Sequence, residues 1–172
     1  LTGTAPNAAT LQTLISDISG NNAMAAAQLA MQDPNFYDVT VRNFAAPMSN
    51  KAQSIFVPLN DYTATIIGMV RDNVTYNTVL SADLLYVGNM SGAPPYSPAN
   101  NDHYQYLDDH SADLSKVLQA QTQSALIGIP SSATAGVLTT YAGASAYFYL
   151  GTNRAMVRFT MMDYLCDDLN TI

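Results

Sequence analysis

Apolar residues recur at the three- and four-residue spacing of an amphipathic helix in the first quarter of the chain. Residues 4–7 offer cap chemistry, and the apolar stripe after them stops at Gly20, which predicts a first helix. A second, alanine-rich helix opens at Asn21-Asn22, and a third ends near Pro47. The predicted inward positions of the three helices are Leu11, Leu14, Ile15 and Ile18, then Met24, Ala27 and Met31, then Tyr37, Val41 and Phe44.

The same periodicity predicts two more helices in the middle of the chain. A loop over 49–59 precedes a fourth helix, which Asn60 or Asp61 can cap. A fifth helix is expected after Thr75, and Gly88 ends it. The predicted inward positions are Tyr62, Ile66, Ile67 and Val70 in the fourth helix, and Val79, Leu80, Leu84 and Val87 in the fifth.

Two irregular segments interrupt this pattern. The apolar run Ile55-Phe56-Val57 predicts a short extended piece inside the first loop. Residues 89–101 are rich in glycine, proline, serine and asparagine, so they predict a second loop and the best internal boundary. The expected organisation is a single helical domain or fragment over 1–172, with sub-division at 89–101 as the alternative.

The clearest amphipathic pattern begins at Ser111 and ends at Gly128. Residues 142–150 fit either a strand or a helix, and a last helix is predicted after Thr152-Asn153. Its apolar stripe still runs at Ile172, so the chain is expected to be a segment of a longer polypeptide. The predicted inward positions are Leu114, Val117, Leu118, Gln121 and Ala125, and in the last helix Ala155, Phe159, Met162, Cys166 and Leu169. The predicted fold class is mainly α, an irregular bundle of about six to eight short helices with long loops.

Composition narrows the classes of partner. The chain has 172 residues, of which 48% are hydrophobic and 11% charged, and its net charge is −7. Such a charge repels phosphate backbones and anionic lipid, so nucleic acid is not an expected partner. The longest apolar stretches fall short of the roughly 20 residues of a membrane-spanning helix, so no membrane span is expected.

The start of the chain suggests an exported protein. The first residue is Leu1 rather than Met, and no basic segment followed by an apolar run is present. We therefore expect a mature chain or a fragment from which any targeting peptide has been removed. The acidic composition with very few lysines favours a periplasmic or extracellular location.

Both histidines lie in one acidic segment, which makes it the candidate metal or acid–base site. The candidate ligands are Asp102, His103, Asp109 and His110. Seven residues separate the histidines, which on a helix is about 10 Å and too far for joint coordination. The preferred interpretation is a solvated acidic run that caps the following helix, with a bound cation as the alternative.

Two further residues attract attention as structural positions. Asp83 lies at the edge of an apolar stripe, so if buried it needs an arginine partner, with Arg71, Arg154 and Arg158 as candidates. The one cysteine, Cys166, lies on the apolar stripe of the last helix, where a buried and inert thiol is expected. A nucleophile, a metal ligand or a disulfide to another chain are its alternatives. No catalytic residues are predicted.

Three stretches carry a resemblance to a known family. They are Leu1-Thr2-Gly3-Thr4-Ala5-Pro6 followed by Leu11, then Asp72-Asn73-Val74-Thr75-Tyr76-Asn77-Thr78-Val79-Leu80-Ser81-Ala82-Asp83, then Gly136-Val137-Leu138-Thr139-Thr140 followed by Arg154 and Leu165-Cys166. In this order they resemble the uncharacterised helical domains of planctomycete-type secreted c-type cytochromes, which also occur in marine proteobacteria. The resemblance implies a secreted, all-α accessory of electron transfer.

Members of that family commonly carry a C-x-x-C-H haem segment elsewhere in the polypeptide. This chain has none. The resemblance therefore implies no cofactor within these residues. Either haem c belongs to a missing segment downstream of Ile172, which the unfinished last helix favours, or this relative has no haem. It supplies no catalytic residues, and Asp83 and Cys166 are the matched positions of most interest.

Three functional hypotheses follow. The leading one is a non-catalytic exported helical module, part or accessory of a redox (cytochrome-like) or cell-surface assembly, whose partner is another protein or the remainder of the same polypeptide. The second is a metal-dependent enzyme or binding protein that uses the Asp/His cluster of 102–113. The third is a carbohydrate- or surface-binding module that uses some of the 11 tyrosines.

Overall fold

The computed structural model describes residues 1–148 and 153–170, and it confirms a mainly helical fold of irregular architecture. The α-helices are α1 (Ala8–Ser19), α2 (Ala23–Ala30), α3 (Arg42–Ala45), α4 (Asp61–Arg71), α5 (Asp102–Asp109), α6 (Leu114–Val117), α7 (Gln123–Ile127), α8 (Tyr141–Tyr147) and α9 (Asn153–Leu165). The strands are β1 (Leu85–Gly88) and β2 (Leu118–Gln121). A π-helical segment (Phe36–Val41) leads into α3, and 3₁₀ turns lie at Ala46–Ser49, Tyr76–Thr78, Ser131–Ala133 and Gly136–Thr139.

Helix α4 forms the centre of the core. The Asn60 side chain caps it by accepting the Thr63 N–H at 2.9 Å, as the sequence predicts. Every residue from Asp61 to Met69 is buried. Gly68 lets β1 approach closely, because a Cβ at this position would lie 2.1 Å from the ring of Tyr86. The α4 helix therefore packs against β1 as well as against α3, α6 and α8.

The predicted fifth helix is wrong, because only a 3₁₀ turn forms at Tyr76–Thr78 and the last four residues of the segment are β1. Strand β1 pairs antiparallel with β2, with Leu85 opposite Gln121 and Gly88 opposite Leu118. Short apolar runs fit both a strand and a helix face, and the partner residues that decide between them lie 30 to 36 positions further along the chain. Here the strand prevails because β2 completes its backbone hydrogen bonds and α4 covers its buried residues.

The predicted helix from Ser111 to Gly128 is also wrong as one continuous element. The structure divides it into α6, β2 and α7, because the middle four residues pair with β1. Its end is confirmed, since Gly128 adopts a left-handed φ of 72° after α7. Asp113 caps α6 by accepting the Ser115 N–H at 3.1 Å, so the acidic run does cap a helix.

The irregular segments differ in how far they follow the sequence. The 49–59 loop is present, but Ile55-Phe56-Val57 forms no strand. The ambiguous segment is helical from Tyr141 to Tyr147, and positions 149–152 lie outside the described residues. Two further predictions, the cap at Thr152 and the stripe through Ile172, also fall on residues that are not described.

The 89–101 loop packs on the same core as the helices around it. Met90, Ala93 and Tyr96 contact the core cluster, and the strands on either side of the loop pair with each other. The loop therefore connects two parts of a shared core.

Helices α1 and α2 begin as predicted, with Asn7 and Asn22 accepting backbone N–H groups of the first turns. They pack against each other near the start of the chain. Within the described residues, no helix is long and apolar enough to cross a membrane.

Candidate functional site

The structure does not bring the four predicted metal ligands together into one cluster. Among the described residues, no group of three or more His, Cys, Asp or Glu side chains is placed to hold a metal ion. His103 is buried, and both of its ring nitrogens have backbone partners. Nε2 accepts the Gly88 N–H at 3.0 Å, and Nδ1 donates to the Pro94 carbonyl at 2.6 Å. These contacts fix one neutral tautomer and join β1, the 89–101 loop and α5.

The other three candidates lie at the surface. His110 stacks on the Tyr106 ring at 3.9 Å between centroids, and its Nδ1 donates to the Tyr106 carbonyl. Asp109 accepts the Gln105 amide at 2.8 Å, one helical turn away. Asp102 is exposed in the first turn of α5, where the helix dipole favours a carboxylate. The contacts of all three side chains are therefore those expected on an ordinary exposed helix surface.

Asp83 has a different partner from the predicted arginines. Its carboxylate accepts both the N–H and the hydroxyl of Ser124, each at 2.6 Å. It thereby satisfies a donor in the first turn of α7 from 41 residues away. Arg71 instead pairs with its neighbour Asp72 at 2.7 Å, and Arg158 pairs with Asp168. The prediction of a structural role at Asp83 holds only in this altered form.

The expectation of a buried Cys166 is wrong. Helix α9 ends at Leu165, one residue before the predicted stripe reaches the cysteine. Cys166 then adopts a positive φ of 55°, and its side chain is exposed. The apolar periodicity of the sequence continues beyond Leu165, but the backbone is no longer helical there.

The sequence presents Asp61 only as a possible cap, yet it is the most buried carboxylate among the described residues. It accepts the N–H groups of Tyr141 at 2.6 Å and Ala142 at 3.0 Å, its neighbour Tyr62 at 3.0 Å and the Tyr96 hydroxyl at 3.3 Å. Burial raises the pKa of Asp61, and the backbone hydrogen bonds from Ala142, Tyr141 and Tyr62 oppose that shift. The site ties the start of α4 to the start of α8.

A second carboxylate site lines a small hollow of about 270 Å³ between α3, α5 and α6. Arg42 binds Asp108 through two hydrogen bonds of 2.7 and 2.8 Å, and the Leu59 N–H donates to the same carboxylate. Burial opposes ionisation of Asp108, but Arg42 and the Leu59 N–H hold its pKa below the usual range. Because the guanidinium is already occupied, this arrangement is an ion pair that joins helices.

A larger, open groove of about 560 Å³ lies between the 49–59 loop and α8. We call it the α8 groove. Val57 and Pro58 line one wall, and Tyr141, Ala142 and Ala146 line the other. Lys51 is its only charged lining residue within the described chain. The amide NH2 groups of the lining residues Asn50, Asn60 and Asn101 donate within the protein, as in Asn60 to Ser49 at 2.9 Å. The side-chain oxygen of Asn101 is buried and has no hydrogen-bond partner among the described residues.

The exposed apolar side of α1 is the most distinctive surface. This helix is amphipathic, but none of its residues is buried. Leu11, Ile15 and Ile18 are 43%, 48% and 63% exposed, and Met24 at the start of α2 is 70% exposed. We call these four residues the α1 face. Leu11, Ile15 and Ile18 lie on one side of α1 by their helical spacing, and such a group of exposed apolar side chains is typical of an interaction site.

The described tyrosines offer little exposed aromatic surface. Only Tyr76 among them is exposed, at 37%, while five are buried: Tyr37, Tyr62, Tyr86, Tyr104 and Tyr147. The carbohydrate-binding hypothesis gains no support from them and stays a prediction.

Known proteins supply no assignment for this chain. No family model, no curated protein and no solved structure matches this chain. What the fold and surface define is a mainly helical protein that carries an exposed apolar helix and no metal cluster in its described residues.

Proposed function

We propose that this chain is a non-catalytic helical module of an exported redox or cell-surface assembly, and that it joins the assembly through the α1 face. The observation that carries the proposal is that α1 forms a capped amphipathic helix and yet buries none of its residues. Although α1 packs against α2, the apolar stripe keeps about half of its side-chain surface uncovered within this chain, and contact with another surface would bury it.

Charge favours a protein partner over a lipid surface. The first basic residue of the chain is Arg42, while Asp17, Asp33 and Asp38 precede it. Helices that lie on membranes carry lysine and arginine on their polar side, which attract anionic lipid. The α1 face has no such complement, so we infer that its occupant is an apolar helix of another protein.

The export and cytochrome parts of the proposal rest on the sequence resemblance. The matched stretches include the segment just before α1, where Thr2 to Pro6 lead into the Asn7 cap. A partner that carries haem c would supply the C-x-x-C-H segment that this sequence does not contain.

A site-specific photo-crosslinker at Ile15 tests the docking surface in the cells that make the protein. Thr13 is the matched control, because it is exposed on the same helix and about 200° away around the axis. We expect the Ile15 probe to capture one protein that the Thr13 probe does not capture. Equal capture at both positions, or capture of lipid at Ile15, would contradict the proposal. An absorption spectrum of the captured complex then tests the haem part separately.

A further inference from the structure

Helix α9 lies on the surface of the core and is held there by aromatic residues. None of its described side chains is fully buried, and most are half-buried. The Tyr164 hydroxyl forms a 2.6 Å hydrogen bond with the hydroxyl of Tyr62 on α4. The Phe159 ring packs on Tyr147 of α8, with 5.0 Å between the ring centroids. Because the centre of the core is α4, these contacts can open while the core itself stays folded.

Asp163 is a half-buried carboxylate of α9 within this contact surface. The hydrogen bond that it accepts among the described residues comes from the Gln53 amide, at a long distance of 3.4 Å. Two of the surrounding hydroxyls, those of Tyr62 and Tyr164, are bonded to each other. The ionisable groups that interact with Asp163 are tyrosines from four elements, namely Tyr62 of α4, Tyr76 of a 3₁₀ turn, Tyr147 of α8 and Tyr164 of α9.

No lysine or arginine of the described residues forms an ion pair with Asp163. The ion pairs there engage other carboxylates, and Arg158 of the same helix binds Asp168 at 2.7 Å. A carboxylate with so few donors is more stable in water than in this surface, because burial disfavours the charged form. In agreement, burial raises the pKa of Asp163 to about 6, and the Gln53 amide opposes only part of that shift. The docked helix therefore favours the neutral acid over the carboxylate.

We propose that α9 is a pH-sensitive element, which docks on the core in acidic surroundings and is released from it as Asp163 ionises near neutral pH. In the undocked helix the carboxylate is in water, so between about pH 4 and about pH 6 the undocked form binds fewer protons than the docked form. A rise in pH therefore shifts the equilibrium towards the undocked form. Release uncovers the hydroxyl of Tyr62 and the ring of Tyr147, both of which are buried while α9 is docked.

Amide hydrogen exchange of the full chain at about pH 5 and about pH 7 measures this release. Protection factors compare each amide with its intrinsic rate at the same pH, which removes the ordinary pH dependence of exchange. We expect the amides of α9 to lose about tenfold in protection between the two pH values. Their protection should depend only weakly on added urea, whereas that of α4 should fall steeply, because global unfolding exposes far more surface. A pH-independent protection of α9, or the same protection and urea dependence in α9 and α4, would overturn the proposal.

Three variants separate the pH-sensitive group from the contacts that hold the helix. Asp163→Asn keeps the size of the side chain and is neutral at every pH, so α9 should have the same protection at both pH values. Asp167→Asn is the matched control, because Asp167 is exposed just beyond the end of α9, and it should retain the loss seen in the wild type. Tyr164→Phe removes the hydrogen bond to Tyr62, so it should lower the protection of α9 by a similar factor at both pH values. A pH-dependent loss that persists in Asp163→Asn would rule out this carboxylate as the sensor.

Discussion

The carboxylate of Asp61 accepts the backbone N–H of Tyr141 at 2.6 Å, across 80 residues of sequence. With the Ala142 N–H at 3.0 Å, it satisfies two donors at the start of α8 from the start of α4. The positive ends of two helices thus converge on one buried anion, which fixes how the helices meet.

Replacing Asp61 with asparagine should therefore destabilise the fold. Tyr141 and Ala142 donate to different oxygens of Asp61, so whichever oxygen becomes the amide NH2 group would face one of these two donors. We therefore expect a loss of about 2–4 kcal/mol in the free energy of unfolding. Asp102→Asn is the control, because Asp102 is exposed in the first turn of α5, and its effect should stay below about 0.5 kcal/mol. Urea unfolding followed by circular dichroism measures both, and equal stability of the two variants would contradict the assigned role.

The two histidines should differ sharply in their effect on stability. His103→Ala removes the partners of the Gly88 N–H and the Pro94 carbonyl, and we expect a cost of about 2–3 kcal/mol. His110→Ala alters an exposed side chain, so a change within about 0.5 kcal/mol is expected. Thermal unfolding of the variants with and without added Zn²⁺ checks this. If zinc raises the melting temperature of the wild type and His110→Ala abolishes that increase, the metal hypothesis is restored.

A double-mutant cycle should couple Asp83 to Ser124 and not to Arg71. Asp83→Asn and Ser124→Ala both remove the hydroxyl–carboxylate contact, so their effects should be non-additive by about 0.5–1.5 kcal/mol. Asp83→Asn combined with Arg71→Gln should be additive, because Arg71 bonds to Asp72 and to the Leu118 carbonyl. Coupling to Arg71 alone would return Asp83 to the ion pair that the sequence predicts.

Asp163 should make the protein less stable as the pH rises from about 4 to about 7. Burial raises the pKa of Asp163 from 3.8 to about 6, so in this interval the folded state binds more protons than the unfolded state. The free energy of unfolding contributed by this group is therefore highest at low pH and falls through pH 6. Burial is the main cause that raises the pKa of Tyr62, Tyr76, Tyr147 and Tyr164, and the negative charge of Asp163 adds to the shift of each.

Asp163→Asn isolates that contribution. The difference in unfolding free energy between variant and wild type should grow in favour of the variant from pH 4 to pH 7. Asp168→Asn is the opposite control, because Arg158 holds the pKa of Asp168 at about 2, and its removal should destabilise the protein at pH 7. Urea titrations at four pH values give these differences. A constant difference for Asp163→Asn would show that its proton affinity is the same in both states.

Local signals in the sequence determined where the helices with a side-chain cap begin. The side chains of Asn7, Asn22 and Asn60 each accept the backbone N–H of the residue three positions later. Because this contact is local, their helices begin where the pattern predicts. Gly128 likewise ended α7, because its left-handed conformation strongly favours glycine. Capping and chain reversal depend on a few neighbouring residues, and the sequence displays those directly.

Tertiary structure decided everything that depends on a distant partner. Pairing of β1 with β2 turned parts of two predicted helices into strands, since the backbone bonds of one strand are completed by the other. Asp83 accepts a hydrogen bond from Ser124 instead of pairing with an arginine, and the buried Asp61 accepts one from Tyr141. Carboxylates accept from whichever donors the packing brings near, so the sequence did not show these partners. The exposure of the α1 face and of Phe56 is equally a tertiary property, because a sequence shows which residues are apolar and only the fold shows which of them remain uncovered.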